Sequence, residues 1–91
     1  MRFDGLPGSD LIERGLEDLA AGRETVESLL VEIGAPRLRR LGLTVRPHTG
    51  ESAEHRLYRL LATQEPDAAH SRYNALIRRL VSFERAAECV A

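Results

Sequence analysis

The sequence contains no lysine and no tryptophan, only one cysteine, Cys89, and few aromatic residues. A single cysteine excludes an intrachain disulfide bond and is typical of a reducing compartment. The longest runs of strongly apolar residues, such as 29–31, are far too short to cross a bilayer, and residues 1–9 lack the apolar region of a signal peptide. These absences predict a cytoplasmic chain that does not enter a membrane.

Recognisable catalytic and metal-binding patterns are also lacking. The histidines, His48, His55 and His70, do not follow the spacing of a recurring zinc motif, and one cysteine argues against a structural zinc site. Neither a glycine-rich phosphate loop nor a G-x-S-x-G motif occurs. We therefore expect no metal, no cofactor and no catalytic residue, and an enzyme is the function class that these residues favour least.

Charge is unevenly distributed along the chain. All 13 basic residues apart from histidine are arginine. Residues 1–34 hold 3 Arg against 8 Asp and Glu, a net charge of −5, while residues 35–91 hold 10 Arg against 6, a net charge of +4. The overall charge is −1 and the pI is about 6.3, whereas proteins dedicated to nucleic acids usually carry a basic balance.

The spacing of apolar residues predicts one all-α domain that spans residues 1–91. With 43% hydrophobic and 30% charged residues, 91 residues suffice for one small globular domain. We predict a bundle of four main helices plus a short helical turn, with a long C-terminal helix. The predicted segments are 9–22, 24–33, 36–42, 52–64 and 67–90.

Capping residues suggest where two of these helices begin. Ser9 or Asp10 is expected to cap the first helix, with Glu13 in the capping-box position, and Ser52 is expected to cap the fourth. Asp18 is expected on the solvent side of the first helix. Because a glycine inside a helix costs about 1 kcal/mol relative to alanine, we favour a break at Gly22, although continuous apolar spacing leaves one long helix as the alternative.

The final segment carries the most regular pattern in the chain. Apolar residues recur at alternating spacings of four and three from position 69 to position 90, with Ile77 beside them. Twenty-four residues would form a rod about 36 Å long, whereas a domain of this size has a radius of gyration of about 13 Å. The apolar seam therefore needs a cover, supplied either by a second copy of the chain, which we favour, or by the other helices.

We expect this seam to be an interaction surface, and we expect Leu76, Leu80 and Phe83 to be buried. Pairing of two identical chains is the commonest way for small helical proteins to cover such a face. The predicted partners are a second copy, in a dimer, or a larger protein. The candidate seam residues are Tyr73, Leu76, Leu80, Phe83, Ala87 and Val90.

A second candidate surface lies between Gly34 and Gly50, a stretch with several arginines and no acidic residue. As a phosphate-contacting patch over residues 37–48, it would make the chain a nucleic-acid-binding domain, and the preceding helix has part of the apolar spacing of a helix-turn-helix. The alternative, which we favour, is that Glu17, Asp18, Glu27 or Glu32 neutralises these arginines. The candidate phosphate contacts are Arg37, Arg39, Arg40, Arg46 and His48.

The residues thus favour a small cytoplasmic helical interaction module that self-associates or docks on a partner through its C-terminal helix. Nucleic-acid binding through the arginine-rich segment is the second hypothesis.

Overall fold

The computed structural model describes residues 3–46 and 50–90, and within these ranges it contains helices and no strand. The predictions of an all-α fold, of a short helical turn and of a long C-terminal helix are confirmed. The helices of the described residues are α1 (Ser9–Ala20), α2 (Val26–Ile33), α3 (Ala35–Arg40), α4 (Ala53–Gln64) and α5 (Ala69–Val90).

Helix α2 lies at the centre of the fold although it has only eight residues. It packs against α1, α3, α4 and α5. Four consecutive residues, Ser28, Leu29, Leu30 and Val31, are buried, so α2 is covered on every side. A helix surrounded in this way needs apolar residues around its whole circumference.

The start of α1 differs from the prediction. Its N-cap is Gly8, with a φ of 76°, and no side chain caps the helix. The assignment of the cap to Ser9 or Asp10 is therefore wrong. Glycine adopts this left-handed backbone conformation without the steric cost of a side chain, and a Cβ at Gly8 would lie 3.1 Å from the carbonyl oxygen of Arg79. The segment that precedes α1, residues 3–8, is called the lead-in, and it thus packs directly against α5.

The predicted break between α1 and α2 is confirmed. Helix α1 ends at Ala20, and Gly22 has a φ of 77°. Thr25 then caps α2, since its hydroxyl accepts a hydrogen bond from the Ser28 amide at 3.1 Å while Ser28 Oγ accepts one from the Thr25 amide at 2.8 Å. This reciprocal pair fixes the beginning of the central helix.

Asp18 is buried, contrary to its expected position on the solvent side of α1. Its carboxylate accepts hydrogen bonds from the Thr25 hydroxyl at 2.8 Å and from Arg23 Nε at 3.0 Å. These hydrogen bonds, that of Thr25 first, lower the pKa of Asp18 below its ordinary value of 3.8. The side chain turns inward because it supports the residue that caps α2.

Helices α4 and α5 are consecutive and pack against each other as a hairpin. Ser52 Oγ accepts a hydrogen bond from the His55 amide at 3.3 Å, as expected for the cap of α4. Helix α5 begins at Ala69, two residues later than predicted, and packs on α4 after a four-residue connection. Its 22 residues correspond to about 33 Å. Since the longest dimension of the molecule is 37 Å, α5 runs along the whole body.

Candidate interaction surfaces

The middle of the predicted seam is covered by the chain itself. Leu80 is 3% exposed, and Phe83 and Ala87 are fully buried. The ring of Phe3 meets that of Phe83 edge to face, with the centroids 5.8 Å apart. The expected burial of Leu80 and Phe83 is confirmed, whereas that of Leu76 is wrong, because this side chain is only partly buried. With Ala87, however, they are enclosed by the lead-in and the neighbouring helices, so in this fold they are not available to a partner.

The two ends of the seam remain accessible. Tyr73 and Leu76 are partly buried at the edge of the core, and Val90 is 62% exposed in the last turn of α5. An interaction through the seam stays a prediction for these three residues. The seam residues thus fall into a buried centre and accessible ends.

An aromatic cluster lies beside the accessible seam residue Tyr73. The ring centroid of Tyr73 lies 5.8 Å from that of Tyr58, and the ring centroid of Tyr58 lies 6.5 Å from that of His70. Tyr58 is 41% exposed, and His70 is exposed as well. Burial, assisted by the charge of Glu54, raises the pKa of Tyr73 above its ordinary value of 10.0. Both tyrosines of the chain therefore lie together on the α4–α5 surface.

Glu84 is a buried carboxylate that the sequence analysis did not identify. It is 3% exposed and lies against Gly34, where a Cβ would come within 3.0 Å of its Oε2 atom. Arg37 Nη1 lies 3.4 Å from its Oε1 atom. Burial raises the pKa of Glu84 above its ordinary value of 4.5, while the charge of Arg37 opposes this shift and that of Glu88 adds to it. The absence of a side chain at Gly34 makes room for this group.

The arginine-rich segment is largely bound to its own chain. Arg37 donates to Glu88 Oε1 through Nη2 at 2.6 Å, in addition to its contact with Glu84. Arg39 Nη2 donates to the carbonyl oxygen of Val45 at 3.0 Å.

The remaining members of the candidate patch vary in their contacts. Arg46 Nη1 donates to the carbonyl oxygen of Leu19 at 3.4 Å. Arg40 is exposed, and its side chain makes no hydrogen bond to another described residue, although its charge lowers the pKa of Glu84. The position of His48 lies outside the described residues. The patch therefore retains one freely accessible arginine, Arg40, in the part that the structure describes.

We predicted that acidic residues of the N-terminal half neutralise this segment, and this prediction named the wrong partners. Arg37 pairs with Glu84 and Glu88, which belong to α5. Arg56 on α4 instead contacts the acidic half: its Nη1 lies 2.9 Å from Glu32 Oε2, and its Nε lies 2.8 Å from Glu24 Oε1. Opposite charges do meet within the chain, but through arginines other than those that the sequence indicated.

Periodicity contained a signal for both residues that were missed. Glu84 lies seven residues after Ile77, and hence on the same side of α5 beside the seam. Arg56 lies four residues before Leu60, on the apolar face of α4. A charged residue at an otherwise apolar position of a helix indicates a buried ion pair.

A groove lies between α2 and α5. We call it the α2–α5 groove; its volume is about 570 Å³. Charged side chains of α5 form one wall and those at the start of α2 form the other, and one apolar side chain from each of α1, α2, α4 and α5 contributes to the floor. Its lining includes Leu11, Glu24, Val26, Glu27, Leu60, Arg72, Leu76 and Arg79.

No group of three or more histidine, cysteine, aspartate or glutamate side chains within residues 3–46 and 50–90 has a geometry that could hold a metal ion. In the same ranges, no helix is long and apolar enough to span a membrane. Cys89 is a free, exposed thiol.

Comparison with known proteins reveals no relative. No protein family, no curated protein and no solved structure matches this chain. Its function must therefore be argued from its own surfaces.

Proposed function

We propose that this protein is a small helical interaction module that self-associates or docks on a protein partner through its long C-terminal helix, α5. The observation that carries the proposal is the aromatic cluster on the α4–α5 surface, where Tyr58 is 41% exposed and its ring meets that of Tyr73 at an interplanar angle of 59°. Only 4% of the chain is aromatic. Tyrosine is enriched at protein interfaces because it combines a large apolar area with a hydroxyl that tolerates water.

The accessible ends of the seam support the same proposal. Leu76 and Val90 leave apolar surface uncovered on α5, on either side of the buried middle section. The proposal also has the protein act in the cytoplasm, and the support for this is the free thiol of Cys89, which suits a reducing compartment.

Site-specific photo-cross-linking in the native host tests the proposal. A photo-reactive phenylalanine analogue that replaces Tyr58 should produce one discrete cross-linked species, whose mass distinguishes a second 10.1 kDa chain from a larger partner. The matched control carries the analogue at Glu13, which is exposed on α1 and makes no ion pair within the described residues. The proposal fails if position 58 yields no discrete product, or the same products as position 13.

Nucleic-acid binding through the arginine-rich segment is the weaker alternative. Arg37, Arg39 and Arg46 already donate hydrogen bonds to their own chain, and phosphate would have to displace these contacts. Titration with labelled duplex and single strands at about 150 mM salt distinguishes the two functions, since phosphate contacts give an affinity that falls steeply with added salt. We expect no submicromolar binding. Salt-sensitive binding that is lost when Arg37, Arg39 and Arg40 are all changed to Ala would favour the alternative.

A further inference from the structure

The α2–α5 groove has walls of opposite charge. Arg72 and Arg79, with Leu76 between them, form the wall on α5, whereas Glu24 and Glu27 form the wall at the start of α2. Within the described residues, no ion pair joins the two walls. The groove is therefore positive along one side and negative along the other.

The charges on the walls are only partly satisfied by neighbouring side chains. Arg79 lies 3.5 Å from Asp10, with 51% of its side chain exposed, and Arg72 lies 3.1 Å from Glu65, with 35% exposed. Glu24 meets Arg56 but is 56% exposed. Such exposed pairs contribute little to stability, so they can be rearranged at low cost when a partner supplies further charges.

The floor of the groove is apolar. Leu11, Val26, Leu60 and Leu76 come from four different helices, and each is only partly buried. Covering such surface is favourable by about 25 cal/mol per Å² of apolar area. A ligand with a complementary apolar stripe would complete the core at this point.

The dimensions of the groove suit a helix. Arg72, Leu76 and Arg79 are spaced as i, i+4 and i+7, so the wall on α5 extends over two helical turns, or about 10 Å. An amphipathic helix places its apolar side chains at the same spacing and inserts them as one row into a hydrophobic groove. A row of three apolar side chains matches this length.

From these features we propose that the α2–α5 groove binds an amphipathic helix of a partner protein. The helix would carry an apolar stripe with acidic side chains along one flank, facing Arg72 and Arg79, and basic side chains along the other, facing Glu24 and Glu27. This inference rests on the proposed function and specifies its partner. Complementary charge on both flanks selects the partner, while the apolar row supplies most of the affinity.

Designed peptides test the charge rule. Three capped helical peptides of about 15 residues share one leucine stripe and differ only in their flanks, which carry Glu on one side and Lys on the other, Lys on both, or Glu on both. Fluorescence anisotropy measures their binding. We expect the unmodified protein to bind the mixed peptide about tenfold more tightly than either of the others, equivalent to about 1.4 kcal/mol. Only one orientation of the mixed peptide satisfies the rule, since reversing the helix exchanges its flanks, so either placement of Glu and Lys on the two flanks has one orientation that fits.

Charge reversal in the protein should change this preference. The double variant Arg72→Glu with Arg79→Glu makes both walls acidic, and it should bind the Lys-flanked peptide best. The matched control is Arg78→Glu with Arg85→Glu, which makes the same change of net charge at exposed positions of α5 that do not line the groove. The control should still prefer the mixed peptide. Circular dichroism verifies that both variants remain helical.

Three results would overturn the inference. The first is that no peptide binds at about 1 mM, a concentration at which even a weak specific site is half occupied. The second is that the groove variant and the control variant show the same preference. The third is a dimer of the unmodified protein that dissociates on Leu76→Gln, because a second copy would then occupy the groove. A cross-linked partner at Tyr58 would leave the proposed function standing in all three cases.

Discussion

The positions of α2 and α5 in the fold are the reverse of what their lengths suggest. Helix α2 has eight residues and lies at the centre, whereas α5 has 22 residues and runs along one side of the body. The consecutive burial of residues 28–31 leaves α2 partly exposed only at its first two and last two residues. Helix α5 alternates a buried face with a charged one, which is typical of a helix at the surface of a bundle.

This difference shows that a regular apolar seam marks a helix with one buried face, and that such a helix lies at the edge of a core. The centre belongs to the segment whose apolar residues follow one another without a strict period. In this chain that segment is the short helix α2, so it adds few residues to the apolar spacing that can be recognised in the sequence. The surfaces that we propose for a partner correspondingly lie on α5 and on its boundary with α2.

The largest expected effect is that of Leu30→Ala in α2. Leu30 is fully buried and surrounded by other helices, so its truncation should cost between 2 and 5 kcal/mol, near the upper end of this approximate range. Urea unfolding monitored by circular dichroism measures the loss. If Leu30→Ala costs less than Leu80→Ala, the assignment of α2 as the centre of the core is wrong.

Leu80→Ala in α5 should come next, with a cost of at least about 2 kcal/mol that stays below that of Leu30→Ala. The side chain is 3% exposed, but it packs at the side of the core. Val90→Ala is the control in the same seam. Because Val90 is 62% exposed, we expect a change within about 0.5 kcal/mol. A loss below about 1 kcal/mol for Leu80→Ala would mean that the seam faces water.

Thr25→Ala tests how the short central helix is held in place. It removes the cap of α2 and the hydroxyl that donates to Asp18, and it should cost about 0.5 to 2 kcal/mol. Ser52→Ala removes the simpler side-chain cap of α4 and is the matched comparison. We expect the larger loss at Thr25. Equal losses would show that the Asp18 network adds nothing to the cap.

The smallest expected effect is a change in how the free energy of unfolding depends on pH when Glu84 of α5 is replaced. Burial raises the pKa of Glu84 in the folded protein above its ordinary value of 4.5. At pH values just above 4.5 the folded state therefore binds more protons than the unfolded state, and this group makes the free energy of unfolding fall as pH rises. Glu84→Gln should remove that contribution, so the variant should gain stability relative to the unmodified protein as the pH is raised from 4 to 7.

Unfolding in urea at several pH values measures this difference. Glu13→Gln, which removes an exposed carboxylate from α1, is the control for the loss of one acidic group. Asp18 and Glu51, whose pKa values are lowered, act in the opposite direction, but they contribute equally to both proteins and cancel. A stability difference between Glu84→Gln and the unmodified protein that does not vary with pH would contradict the expected role of burial.

Most of the fold was predictable because local signals agree with tertiary structure. Gly22 and Pro66 separate helices, Ser52 caps one, and the apolar spacing assigns the buried faces. The start of α1 was not predictable in this way. A side chain at Gly8 would crowd the carbonyl oxygen of Arg79, and only the fold reveals this contact. The cap residue was therefore assigned one or two positions too late.

The candidate surfaces were less predictable because they depend on which helices become neighbours. Arg37 finds its partners Glu84 and Glu88 about 50 positions away in the chain, a pairing that no local pattern encodes. The α2–α5 groove combines residues from four helices and has no signature in any one of them. The seam identified α5 correctly as an amphipathic helix, but its length did not indicate how much of it the same chain would cover.

Gly34 has a consequence for how substitutions in this protein combine. A methyl group there would lie 2.9 Å from Leu80 Cδ1 and 3.0 Å from Glu84 Oε2, so residue 34 and these two side chains compete for one volume. The effects of substitutions that share a volume do not add. In the background Leu80→Ala, the methyl group of Gly34→Ala would no longer meet the leucine, and only its contact with Glu84 Oε2 would remain. The loss of stability caused by a smaller residue at position 80 thus depends in part on Gly34, which lies on the other side of this contact.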